Sequence, residues 1–79
     1  MKAIVTVTLK QGVLDPQGKA IEGALLSLGF DDVAGVRQGK LFEIELGDIA
    51  AEIARKTITE MCEKLLANTI IETYRIELA

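Results

Sequence analysis

The chain has 79 residues, 49% hydrophobic and 27% charged, with a net charge of -3 and no histidine or tryptophan. That composition describes one soluble globular domain, spanning residues 1–79, at the lower size limit for a self-sufficient core. Cores below roughly 70 to 80 residues seldom supply more than about 3 to 5 kcal/mol of net stability. A lone cysteine, Cys62, excludes an internal disulfide, and without histidine there is no thiolate and imidazole cluster for zinc, so association is the remaining way to add stability.

The first segment, Lys2 to Lys10, alternates, with Ala3, Val5, Val7 and Leu9 on one face and Ile4, Thr6 and Thr8 on the other. It predicts a strand rich in β-branched residues. Gly12 to Gly18 then combines chain reversal, capping and proline placement. Asp15 is set to accept from the free amides of a helix's first turn, and Pro16 loses nothing at the first helical position, where its missing donor has no intrahelical partner. From Pro16 to Leu28 the residues Ala20, Ile21, Ala24, Leu25 and Leu28 fall at helical spacing. Gly29 stands where a left-handed cap is expected, with Phe30 placed to fold back onto Leu25.

Val33 to Arg37 and Lys40 to Leu46 read as two short strands turning at Gln38 and Gly39, which predicts an antiparallel hairpin. Asp48 is the expected cap of a second helix whose inner stripe is Ile49, Ile53, Ile58, Met61, Cys62, Leu65 and Leu66. Glu60 and Lys64 form an i,i+4 pair within it. Asn68 is expected to end it in the left-handed conformation, and Ile70 to Leu78 alternates again as a last strand.

The order βαββαβ with right-handed crossovers predicts an α+β ferredoxin-like sandwich: a four-stranded antiparallel-type sheet with both helices on one face, its first and third strands adjacent and parallel. Val5, Val7, Leu9, Phe42, Ile44, Leu46, Tyr74 and Ile76 would face the helices. The opposite face would carry Ile4, Thr6, Thr8, Leu41, Glu43, Glu45, Ile71 and Thr73. Its half-apolar character suits packing against another chain.

Catalytic chemistry is poorly represented. Without histidine, acid or base work falls to carboxylates, lysines, Tyr74 or Cys62. Asp31 and Asp32 read as a solvated turn, Glu43 and Glu45 as one strand face, and Cys62 as a small core residue without a base beside it. The glycines never form a phosphate-cradling spacing. Lys10, Lys19, Arg37 and Lys40 are candidates for a basic patch at one end of the sheet. An RNA-recognition sheet would need aromatic rings on its uncovered face, which this chain lacks, and the negative charge opposes nucleic acid and anionic membranes alike. No run approaches the ~18 apolar residues that span a bilayer. The alternating start is unlike a secretory signal, so the expected location is the cytoplasm.

Four pieces in order, Val13-Leu14-Asp15-Pro16-Gln17-Gly18-Lys19-Ala20, Leu28-Gly29-Phe30, Val36-Arg37-Gln38-Gly39-Lys40 and Met61-Cys62-Glu63-Lys64-Leu65-Leu66-Ala67-Asn68, make the chain similar over its whole length to phosphoribosylformylglycinamidine synthase subunit PurS. The resemblance implies a non-catalytic subunit of a carbon–nitrogen ligase complex in purine biosynthesis. There a glutaminase subunit, PurQ, releases ammonia, and a synthetase subunit, PurL, uses ATP and magnesium to convert formylglycinamide ribonucleotide to formylglycinamidine ribonucleotide. It further implies a homodimer or dimer of dimers that joins the two and assists ammonia transfer while binding no cofactor or metal itself. Polar groups at turns are the expected partner contacts, namely Asp15, Gln17, Gly18, Arg37 and Lys40. A second reading is a small-ligand regulatory domain of the ACT type, which shares the strand and helix order; a free-standing enzyme is the third.

Overall fold

The computed structural model describes residues 1–79. Strand β1 (Lys2–Leu9) is central, flanked by β2 (Gly39–Glu45) and β3 (Glu72–Leu78) in the order β2-β1-β3. Helix α1 (Pro16–Ser27) follows β1, and helix α2 (Ala51–Met61) runs into a π-helical turn, Cys62–Leu66, ahead of β3. Both neighbours run antiparallel to β1, with Val5 opposite Phe42 on one side and Ile76 on the other. The protein is therefore α+β, as expected. The strand count and one strand direction differ from expectation.

Residues 33–38 do not form a strand, and there is no hairpin at Gln38 and Gly39. The backbone there is held by the start of α1, because the Gln38 amide donates to Asp15 Oδ2 at 2.8 Å. Gly39 has no left-handed φ. It lies in β2 so close to the Val7 carbonyl that a Cβ would strike it, and its lack of a side chain serves strand contact. The same tether explains the strand direction. The chain leaves β1 at Leu9, passes through α1, and is brought back to that end of the sheet, where Gly39 pairs with Thr8. Re-entry at the end of exit makes β2 antiparallel to β1 and excludes the parallel pairing that a crossover to the far end would produce.

The inner sheet face is as the alternation predicts. Ala3, Val5 and Val7 are buried with Ile58, Cys62 and Ala67, while Phe42, Ile44, Leu46, Tyr74, Ile76 and Leu78 pack around them. Only α2 supplies a helix to that core, packing against β3. In α1 the sole buried residue is Gly18, so the expected second covering helix stands away from the sheet. The dimensions, 48 × 25 × 14 Å, reflect that projecting arm.

Local signals at α1 are obeyed closely. Asp15 caps it, with Pro16 in its first turn. At the other end Gly29 has φ +98, and the amides of Gly29 and Phe30 donate to the carbonyls of Leu26 and Leu25 at 3.1 Å each, the paired bonds of a Schellman stop. The second helix departs more. It begins at Ala51 with Ala50 as an unassisted cap, so Asp48 caps nothing. Within the π-helical turn the Ala67 amide reaches back to Cys62 O at 3.0 Å, five residues away. The wider turn shifts the face, so Leu66 and Ala67 turn inward and Leu65 is left 83% exposed. Ile49 and Ile53 also lie outside the core. Asn68 does not become left-handed. Its side-chain Oδ1 accepts from the Ile70 amide at 3.2 Å, an Asx turn that reverses the chain by another route.

Ile58 is fully buried where helix and sheet meet. Ile58→Ala is expected to destabilise the fold by about 2 to 5 kcal/mol, the usual range for emptying such a site, seen as a lowered urea midpoint by circular dichroism.

Candidate partner-contact site

The residues singled out from sequence meet at the end of the sheet where β1 leaves and β2 begins. Gly12, with φ +83, turns the chain after β1, and the Val13 amide closes that turn on Lys10 O at 3.2 Å. Asp15 then uses both carboxylate oxygens. Oδ1 accepts from the Gly18 amide at 2.9 Å as a helix cap, and Oδ2 accepts from the Gln38 amide. One side chain thus ties the turn and the helix start beside it to the entry to β2, 23 residues further on.

Gly18 is buried because Val36 passes directly over it. A Cβ there would lie 2.5 Å from the Val36 carbonyl oxygen and 2.6 Å from Asp15 Oδ2, so only glycine permits the approach. Arg37 donates from Nη2 to the Leu9 carbonyl, binding the incoming segment to the end of β1. Lys40 sits 3.8 Å from Glu72 on β3 and 5.9 Å from the Phe42 ring centroid. Gln17 is exposed. Asp15, Gln17, Lys40 and Glu72, with Thr8 and Gln38, line one shallow hollow of about 470 Å³. Arg37 faces an adjoining hollow, lined also by Asp15, Lys19 and Glu22, where Lys19 and Glu22 pair at 3.8 Å. All five sequence-selected residues are therefore neighbours. Three of them, Asp15, Gly18 and Arg37, hold the chain's own backbone.

Sequence reasoning missed Glu72. Besides facing Lys40, its Oε1 accepts from the Asn68 amide at 2.6 Å, so this carboxylate joins the end of the π-helical turn to the β2 side of the sheet. A glutamate on the inner parity of a strand was the available signal. It also missed the Tyr74 hydroxyl, which donates to Glu63 Oε2 at 2.7 Å across the junction of β3 and the π-helical turn.

The electrostatics follow these contacts. The Gln38 and Gly18 amides hold the Asp15 carboxyl below its ordinary value, aided by the Arg37 charge. The Glu63 acceptor, which favours the protonated phenol, pushes Tyr74 up to about 12. Burial, with Glu63 beside it, raises the Cys62 thiol, the reverse of what an activated nucleophile needs. No group of three or more cysteine, aspartate or glutamate side chains is placed to hold a metal ion. No helix is long and apolar enough to cross a membrane.

A three-stranded antiparallel sheet with one helix packed against it and a second standing away defines the class of small α+β domain to which this chain belongs. Its family is definite. Residues 2–79 match the family model for PurS, phosphoribosylformylglycinamidine (FGAM) synthase, and the chain belongs to that family. The Bacillus subtilis phosphoribosylformylglycinamidine synthase subunit PurS is 51% identical over 78 residues, covering 96% of this chain and 89% of the relative. The crystal structure of Methanocaldococcus jannaschii PurS, one of the subunits of formylglycinamide ribonucleotide amidotransferase in the purine biosynthetic pathway, superposes with a TM-score of 0.87 at 42% identity, covering 96% of this chain and 92% of that one. The structure of PurLQS from Thermotoga maritima contains a chain matching at TM-score 0.88 and 30% identity, over 96% of this chain and 93% of its own. The regulatory ACT-type reading finds no support in these relationships and is set aside.

Two titrations test the electrostatics. The contribution of Asp15, whose folded value is depressed, is complete above the ordinary carboxyl value of 3.8 and is lost as pH falls through the lower folded value. Asp15→Asn should therefore lower the urea midpoint at pH 6, and its deficit should shrink below pH 3.8. Tyr74 is the only tyrosine, and there is no tryptophan. Its near-ultraviolet ionisation should fall near pH 12 in the folded protein and move toward 10 in Glu63→Gln.

Proposed function

We propose that this chain is the bridging subunit of a phosphoribosylformylglycinamidine synthase complex, associating with itself as a homodimer or dimer of dimers and joining a PurQ-type glutaminase to a PurL-type synthetase in the cytoplasm. The observation that carries this reading is its likeness, along 96% of its length, to a chain in the PurLQS assembly of Thermotoga maritima. The partner synthetase uses ATP and magnesium, and this chain binds neither. Its part is to keep two distant sites in register so that ammonia passes from glutamine to the ribonucleotide without escaping to water, where protonation would destroy its nucleophilicity.

The chemistry of the sheet-end site suits that part. Asp15, Gly18 and Arg37 set the shape of the surface by holding the turn, α1 and the entry to β2 together. Gln17 and Lys40 present polar side chains beside them, and these two make the direct contacts with a partner subunit. Lys40 keeps a positive charge at a rim that is otherwise acidic through Glu72 and Asp15. A rim charge of this kind governs approach and orientation more than affinity.

Reconstitution with PurQ and PurL provides the test. Leaving this chain out should abolish glutamine-dependent synthesis, while excess ammonium salt should still support the synthetase directly; glutamine-dependent activity that persists undiminished without the chain would refute the bridging role. Lys40→Glu should slow association with the partners about fivefold at low ionic strength, an effect that shrinks as salt is added, as measured by stopped-flow mixing of the variant with the partners.

A further inference from the structure

Strand β3 ends the sheet without the usual protection of an edge. It contains no proline, its pairing with β1 runs without a bulge, and it is the outermost strand on its side. The bonds between Lys2 and Ala79, and from the Lys10 amide to Ile71 O, fix which of its groups face inward. By the alternation of an antiparallel ladder, Thr73, Arg75 and Glu77 bond to β1. The amides and carbonyls of Tyr74, Ile76 and Leu78 point away from it and find no partner in the chain.

The side chains along this edge are symmetric about Ile76. Arg75 and Glu77 flank it on the outer face, 75% and 60% exposed and 3.6 Å apart, while Tyr74 and Leu78 flank it on the inner face. A two-fold axis through Ile76 lays a second β3 antiparallel to the first. Tyr74 and Leu78 then exchange hydrogen bonds across the axis, Arg75 of each strand meets Glu77 of the other, and the inner and outer faces stay in phase. The β2 edge has no such pattern, since its outer face carries Leu41, Glu43 and Glu45 without a cation.

Helix α2 repeats the symmetry. Arg55, Thr59 and Glu63 recur every fourth residue along one flank, lining a shallow hollow of about 540 Å³. The bond from Tyr74 to Glu63 places that flank on the β3 side and sets its level. From Tyr74 to Ile76 the strand advances about 6.6 Å. From Glu63 back to Thr59 the helix covers about 6 Å, so Thr59 stands level with Ile76. The same axis therefore brings Thr59 to Thr59 and Arg55 of each helix to Glu63 of the other. A strand and a helix, with different periods, are self-complementary about one line, and only a second copy of this chain matches both.

We propose that β3 and the adjoining flank of α2 form a two-fold interface with a second copy, joining the two sheets edge to edge in the order β2-β1-β3-β3-β1-β2. The inference rests on the self-association proposed above and assigns one of its contacts. That contact leaves α1 and the residues Asp15, Gln17 and Lys40 free for other neighbours.

Exchanging the charges tests it. Arg75→Glu sets carboxylate against carboxylate across the axis, and Glu77→Arg sets cation against cation; a mixture of the two variants, or the double variant Arg75→Glu/Glu77→Arg, restores both attractions. At low ionic strength each single variant should need about tenfold more protein than the unaltered chain to assemble, by sedimentation, and the mixture and the double variant should return to the unaltered value. A second arm is independent of charge. Arg75 and Glu77 face each other with Cα atoms about 4.5 Å apart, a spacing that a disulfide spans. Arg75→Cys chains mixed with Glu77→Cys chains should therefore oxidise to mixed dimers in preference to dimers of either kind alone, while the buried Cys62 stays apart. Single charge variants that assemble like the unaltered chain, or disulfides with no preference for mixed pairs, would overturn this interface and leave self-association standing. An unaltered chain that stays monomeric at every concentration would overturn both.

Discussion

Everything distinctive about this fold passes through the carboxylate of Asp15. By accepting from Gly18 it starts α1, and by accepting from Gln38 it delivers the chain to β2 at the end of the sheet that β1 has just left. A carboxylate satisfied by two backbone amides is a strong local restraint, since the charge-assisted bonds are short and both donors would otherwise be unpaired. The approach of Val36 over Gly18 works only without a side chain at that position, so the restraint and the glycine depend on each other. The result is a strand that returns antiparallel and a helix that projects from the sheet.

The core that remains is small. Eight residues are buried, and most of the buried volume comes from β1, Ile58 and Cys62. β1 is the hub, hydrogen-bonded on both edges, while the chain ends are closed by bonds between Lys2 and Ala79 and between Met1 and Leu46. The ion pairs contribute little to this. Lys2 with Glu43, Lys64 with Glu60, and Arg75 with Glu77 lie on the surface, where such pairs offer about 0 to 1 kcal/mol. Stability must come from covering apolar surface, and a chain that leaves a whole helix face open gains most by association.

Such an architecture is well matched to positioning work. The polar groups that a reader of the sequence would suspect of chemistry are engaged in shaping turns, and the cysteine thiol is shifted away from reactivity. A subunit of an ammonia-transferring complex has no need to make bonds itself. It needs a frame with faces available to different neighbours at once, and a three-stranded sheet with one partly covered face, one open face and a projecting helix provides that frame.

Sequence alone determined the elements whose signals are local: the alternating strands β1, β2 and β3, the Asp15 and Pro16 start of α1, the glycine stop at Gly29, and the division of the sheet into an inner and an outer face. Those features depend on residue period and on hydrogen bonds between near neighbours, which the order of residues encodes directly. The motifs around Asp15, Arg37 and Cys62 also sufficed to place the chain in its family. What only the tertiary structure decided was where segments go once formed. Residues 33–37 have a strand's composition, yet the segment is tied down at its end by the Gln38 amide on Asp15; Leu65 has helical spacing, yet a π-helical turn leaves it exposed; α1 has an inner stripe, yet finds no sheet within its own chain. These outcomes depend on the surroundings of a segment, such as the Asp15 carboxylate 23 residues before Gln38, and neither periodicity nor local propensity describes those surroundings.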